Sequence, residues 1–188
     1  MIDPENVSTA NLERFRGYLY VLAGRHAGRR LQGRFDASDV VQQTLVQALA
    51  ALSQFRGTSD AELAAWLRQI LARQLANAVR DLGREKRDIT RERSLEAALD
   101  QSASRLERFL AAADSSPSHQ AQRNEQLLGL AEALAQLPEA QREAIVLHHL
   151  EQKPLEEIGV QMDRSTAAVA GLIKRGLRAM RVRLQEAE

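Results

Sequence analysis

The stretch PLEEIGVQMDRSTAAVAGLIKRGLRAMRVRL, Pro154 to Leu184, holds two short apolar-periodic runs around a polar break, DRST. From Arg164 to Leu184 it carries Arg164, Lys174, Arg175, Arg178, Arg181 and Arg183, and no acidic residue. A helix-turn-helix needs two short helices crossing steeply, with the second free to enter a major groove. It also needs a small residue where the two backbones meet. Ile158 and Met162 supply the inner face of a first helix, and Gly159 is the small residue at the crossing. Val169 and Leu172 face inward from a second helix, with Leu177 beyond. Asp163 occupies the turn, and Asp tolerates left-handed backbone better than most residues. Ser165 is the expected N-cap of the second helix. The competing reading is the amphipathic end of a helical bundle.

Upstream, helical spacing dominates and no stretch alternates with period two. A first helix is expected over about 11–30, with Leu12, Phe15, Leu19 and Leu22 on one face. FDASD offers caps for a second, Asp39 to Leu52, in which Val41, Leu45, Ala48 and Leu52 form one stripe. FRGTSD breaks the pattern with Gly57 and offers further caps. A long helix is expected from Ala61 to Lys86, its apolar stripe including Trp66 and its outer face Arg68, Arg73 and Arg80. The Ser-, Gln-, Ala- and Asp-rich 94–125 reads as a linker with transient helix, the alternative being one more packed helix at Arg105–Ala113. Helices follow over 124–136, 138–150 and 154–162, and from Ser165 to about Leu184. The expectation is an all-α chain of two small helical domains joined by a flexible linker: 1–92, linker 93–123, and 124–188.

Charge is segregated although the net is only +1. Residues 36–62 set four carboxylates against Arg56, a net of −3. Residues 66–93 carry a net of +4, and residues 164–184 carry +6. Two basic zones fit two footprints on a polyanion, or two solvated helix faces. Cysteine is absent, which excludes disulfides and thiolate chemistry. No run approaches the ~18 apolar residues of a membrane span, and the N-terminus lacks a signal-peptide pattern. A cytoplasmic location is expected. His148–His149 have no third ligand at metal spacing, and GRRLQGR is not a phosphate-cradling loop. No enzyme site and no cofactor are expected. Phe55, beside a glycine turn, could be core or a stacking platform for a base.

In order and spacing, three blocks resemble the extracytoplasmic-function sigma factors of bacterial RNA polymerase. They are DASDVVQQTLVQALAALSQFRG (36–57), AWLRQILARQLANAVRDLGREKR (65–87) and residues 130–184. The resemblance implies region 2 for the first two and region 4 for the third. It implies docking on the polymerase β′ clamp through Asp39, Val40, Gln42 and Gln43, and a further contact with the β flap. It implies −10 capture and melting by Phe55, Arg56, Trp66 and the helix after them, with Arg68, Arg73, Arg80, Arg84 and Arg87 as phosphate candidates. The helix from Ser165 is similar to the −35 reader, with Arg164, Ser165, Thr166, Ala167, Ala170, Lys174, Arg175 and Arg178 at its DNA face. Alanines can touch thymine methyls but donate nothing to base edges, so this reader leans on DNA shape.

There are departures from the family pattern. Phe55 to Trp66 is eleven positions, longer than usual, and Leu63 stands where an aromatic is common. Arg73 stands where Asn is common, and Ala170 replaces a frequent Lys. These bear on promoter sequence rather than architecture. The partners implied are core polymerase and promoter DNA; whether an anti-sigma protein joins them is left open. The alternative function is a helix-turn-helix regulator with an N-terminal helical interaction domain. A polymerase-binding decoy is a third reading, but it would not need the +6 tail. A metal-dependent hydrolase is the enzyme alternative.

Overall fold

Caps and glycines divide the chain into helices. The computed structural model describes residues 9–27, 36–83, 89–113 and 120–186, and among them there is no strand. The helices are α1 (Thr9–Glu13), α2 (Arg16–Ala27), α3 (Ala37–Ala50), α4 (Asp60–Gly83), α5 (Ile89–Ala113), α6 (Gln120–Ala135), α7 (Glu139–Ile145), α8 (Leu155–Met162) and α9 (Thr166–Glu186). They group into two compact units, Met1–Ser104 and Arg105–Glu188.

In the first unit, the expected single helix near the N-terminus is broken at Arg14–Phe15, where the Phe15 N–H turns to the Leu12 carbonyl (3.1 Å). Leu12, Phe15, Leu19 and Leu22 are nevertheless all buried, as their shared face demands. Tyr18 joins them, set edge-on to Phe15 with ring centroids 6.5 Å apart. Asp36 caps α3 by accepting the Ser38 N–H (2.9 Å). Val41, Leu45 and Ala48 of α3 and Leu63, Leu67 and Leu71 of α4 are all buried, and the two helices pack together. Burying such leucines, at roughly 2 kcal/mol each, is the main driving force for closing this unit.

The stretch expected to be a flexible linker, 93–123, is helical up to Ala113 and again from Gln120. Its polar composition hides a stripe: Leu99, Ala103 and Leu106 lie four and three apart and are at most 2% exposed. Ser102 is buried between them and satisfies its hydroxyl on the Ala98 carbonyl (2.8 Å). The boundary between the units falls inside α5, between Ser104 and Arg105.

In the second unit, the helix expected over 138–150 is α7 followed by a wider π turn, Val146–Leu150, closed by the Glu151 N–H on the Val146 carbonyl (3.0 Å). The last half of α5 covers this turn. Arg105 Nη1 donates to the Leu150 carbonyl (3.1 Å), and Phe109 stacks on His149 at 4.8 Å. Burial, and then the neighbouring His148, hold the His149 imidazole below its usual pKa. His148 turns Nδ1 to the Lys153 carbonyl (3.1 Å).

Candidate nucleic-acid interface

The α8–α9 turn is built from one left-handed residue and one glycine. Asp163 has φ 52° and ψ 53°, and the Arg164 N–H returns to the Gly159 carbonyl (2.9 Å). A Cβ on Gly159 would stand 2.7 Å from the Arg164 carbonyl oxygen. The chain can therefore reverse this tightly only with glycine there. Ser165 Oγ then accepts the Ala168 N–H (3.2 Å) and caps α9. Ile158 and Val169, one on each of the two packed helices, are both 0% exposed.

The inner face of α9 comprises Val169, Leu172, Ile173, Gly176 and Met180; Leu177, expected inside, is half-buried. Gly176 lets α9 press on α7, because a Cβ there would lie 2.6 Å from Ile145 Cδ1. The opposite face is open. Arg164, Ser165, Thr166, Ala167, Ala170, Lys174, Arg175 and Arg178 are all exposed, so the fold brings every candidate at this end to one surface. Along its first half that surface is nearly free of side chains. Arg175 leans back over it, with Nη1 3.2 Å from where a Cβ of Gly171 would be. Such a helix can approach a groove closely, with cations along its edges.

The second basic zone is arranged differently. Phe55 is buried against Trp66, with centroids 5.3 Å apart and rings inclined at 39°. Of the two readings left for Phe55, core or stacking platform, its burial agrees with core: Gly57 folds the turn against its ring. Trp66 remains half-buried. Glu62 closes the start of α4 as a capping box, accepting the Thr58 N–H (2.8 Å) and Ser59 N–H (3.1 Å), while Ser59 Oγ accepts the Glu62 N–H (3.3 Å). Those donors, Thr58 foremost, hold the Glu62 carboxyl below its ordinary pKa.

Arg56 is exposed and donates Nη1 to the Ser53 carbonyl (2.7 Å). Arg68 is engaged inside the unit: Nη1 donates to Tyr18 Oη (2.8 Å) and Nε to Asp100 Oδ1 (2.6 Å). Arg73 reaches outward but its Nε meets Glu92 Oε1 (3.1 Å). Arg80 is half-buried. Arg84 and Arg87 lie outside the described residues.

On α3, Asp39, Gln42 and Gln43 are exposed together. Val40 is not: at 3% exposure it belongs to the core, because the helical period turns 40, 41, 44, 45 and 48 to the same side. The sequence reading missed Val46 and Leu49, 54% and 46% exposed, which extend the Gln42–Gln43 face by two turns. Their signal was available, as apolar residues standing off the buried stripe. Arg16 bridges this face, donating Nη2 to Gln42 Oε1 (2.9 Å) while Glu13 grips it through both oxygens (2.7 and 2.8 Å). Among the described residues no group of three His, Asp or Glu could hold a metal ion. No helix of the described residues is long and apolar enough to cross a membrane.

Two family models match the chain. Sigma-70 region 2 matches residues 12–85, which run from α1 to the end of α4. Sigma-70, region 4 matches residues 127–180, which span α6 to α9 and include the helix-turn-helix. Together they cover about two thirds of the sequence.

Proposed function

The chain belongs to the sigma-70 family, as a sigma factor of the extracytoplasmic-function type, and from that premise we propose how its parts divide promoter recognition and transcription initiation. Residues 1–92 act as region 2 and residues 124–188 as region 4. The exposed face of α3, with Asp39, Gln42 and Gln43 and continuing to Val46 and Leu49, docks on the β′ clamp of core RNA polymerase. Region 4 contacts the β flap and lays α9 on the −35 element. The turn from Arg56 to Trp66 and the basic face of α4 take the −10 element and assist melting.

The observation that carries this reading is the contrast between two exposed helix faces. One, on α9, is cationic and almost bare of side chains; the other, on α3, is amide-rich and apolar with the single carboxylate Asp39. The first suits a phosphate backbone and a groove floor. The second offers no cations of its own to phosphates and suits a protein partner.

On α9, Lys174 and Arg178 are placed to hold phosphates, while Thr166, Ala167 and Ala170 face the bases. Contacts of that kind position the protein without specifying sequence strongly. The −35 step then depends on DNA shape, and discrimination falls largely to the −10 step.

Run-off transcription tests the whole reading. Core polymerase with this chain should initiate at defined sites on genomic fragments where core alone does not. Failure to co-purify with core polymerase, together with no gain over core alone, rejects it.

A further inference from the structure

Arg68 and Arg73 of α4 each pair with an acid of α5. Asp100 Oδ1 holds Arg68 Nε at 2.6 Å, and Glu92 Oε1 holds Arg73 Nε at 3.1 Å. The pairing runs antiparallel, the later arginine meeting the earlier acid. Glu92, Glu96 and Asp100 stand four residues apart and so share one side of α5. Leu99 and Ala103, 0% and 2% exposed, anchor the adjoining side in the first unit.

Each pair is open to solvent on one side: side-chain exposure is 59% for Arg73 against 24% for Glu92, and 55% for Asp100 against 16% for Arg68. Partly open pairs add little net stability, so stability alone gives a weak reason for aligning acids with arginines. A carboxylate does, however, offer a guanidinium the same paired anionic oxygens as a phosphate. Exchanging one for the other keeps each arginine satisfied and needs no new geometry.

We infer that the first half of α5 is an acidic strap that occupies, in the free protein, a phosphate-binding face on α4, and that a nucleic-acid strand displaces it from Arg68 and Arg73. This rests on reading α4 as the DNA side of region 2. It deepens that reading by stating why the free chain would hold DNA weakly there. Arg73 is the arginine freed most readily. Arg68 keeps Tyr18 Oη on Nη1 and exchanges only the oxygen on Nε.

The test is a mutant cycle on the intact chain. Fluorescence anisotropy follows binding to a fluorescein-labelled, mixed-sequence single-stranded DNA over a salt series, for wild type, Glu92→Gln, Arg73→Gln and the double variant. Glu92→Gln should bind at least about threefold tighter at low salt, and its log–log salt slope should steepen by about 0.7, the value for one more neutralised phosphate on a single strand. Arg73→Gln should weaken binding less in the wild-type background, where Glu92 competes for that arginine, than in the Glu92→Gln background, where it should abolish the gain. Equal losses in both backgrounds would mean that only net charge had changed, and would overturn the strap. A lower melting temperature for Glu92→Gln with no gain in affinity would make the pair a brace, and would overturn it too. No polymerase enters this experiment. A positive cycle beside failed run-off transcription would keep the masked face and remove its promoter role; a null cycle beside successful transcription would do the reverse.

Discussion

Gly159 and Gly176 look alike in sequence, each a glycine inside a helix, but they meet different neighbours. A methyl group on Gly159 would strike the Arg164 carbonyl oxygen at 2.7 Å, which is backbone in the tightest part of the turn. On Gly176 it would meet Ile145 Cδ1 at 2.6 Å, the end of a side chain rather than backbone, which must shift within the packed core. Replacing a helical glycine by alanine gains up to about 1 kcal/mol of helix propensity, whereas overpacking against an immovable atom costs about 1–3 kcal/mol. Gly159→Ala should therefore lower the stability of the second unit by about 1–2 kcal/mol, and Gly176→Ala by less than about 1 kcal/mol. Thermal unfolding of the two variants checks the order; an equal or reversed effect would remove the close approach as its cause. Gly159 was legible from its place between Ile158 and Val169. The packing role of Gly176 was not, because its neighbour Ile145 lies about thirty residues upstream.

At the scale of elements, α9 carries the prediction. Lys174 and Arg175 are exposed on the open face, beyond the bare stretch that fits a groove floor. If both hold phosphates, changing them to alanine weakens duplex binding uniformly across sequences. Each phosphate that is no longer neutralised should make the log–log salt slope shallower by about 0.9, so about 1.8 for the pair. A competition series over varied duplexes and salt reads both quantities. An unchanged slope with altered base preference would show that these side chains read bases instead. α8 and α9 were readable because caps, a small residue and periodicity all agree within thirty residues. α5 was not, because Gln101, Ser102 and Ser104 dilute its apolar stripe, and because the partners of Glu92 and Asp100 stand on α4. The α3 face was half readable: periodicity separates the inner residues from the outer ones, yet Val40 sits at the edge of that division and falls inside.

For the whole molecule, folding and polymerase docking should be separable. Val46 and Leu49 contribute little to the core because about half of each is exposed, so Val46→Asp with Leu49→Asp should shift unfolding free energy by no more than about 0.5 kcal/mol per site. The same double change should weaken capture of core polymerase at least tenfold, about 1.4 kcal/mol. A lost fold would show in the unfolding curve, and unchanged capture would remove this face from the docking surface. Helical periodicity, caps, two basic zones and an acidic one were enough to read an all-α chain with a helix-turn-helix at one end, because each of those signals is local. Which arginines stay open to a ligand is a different kind of property. Arg68 meets Tyr18 fifty residues before it and Asp100 thirty-two residues after it. Charge and spacing give a guanidinium's position, but its partner is whichever anion or oxygen the packed helices bring within about 3 Å, and that selection exists only once the chain has folded.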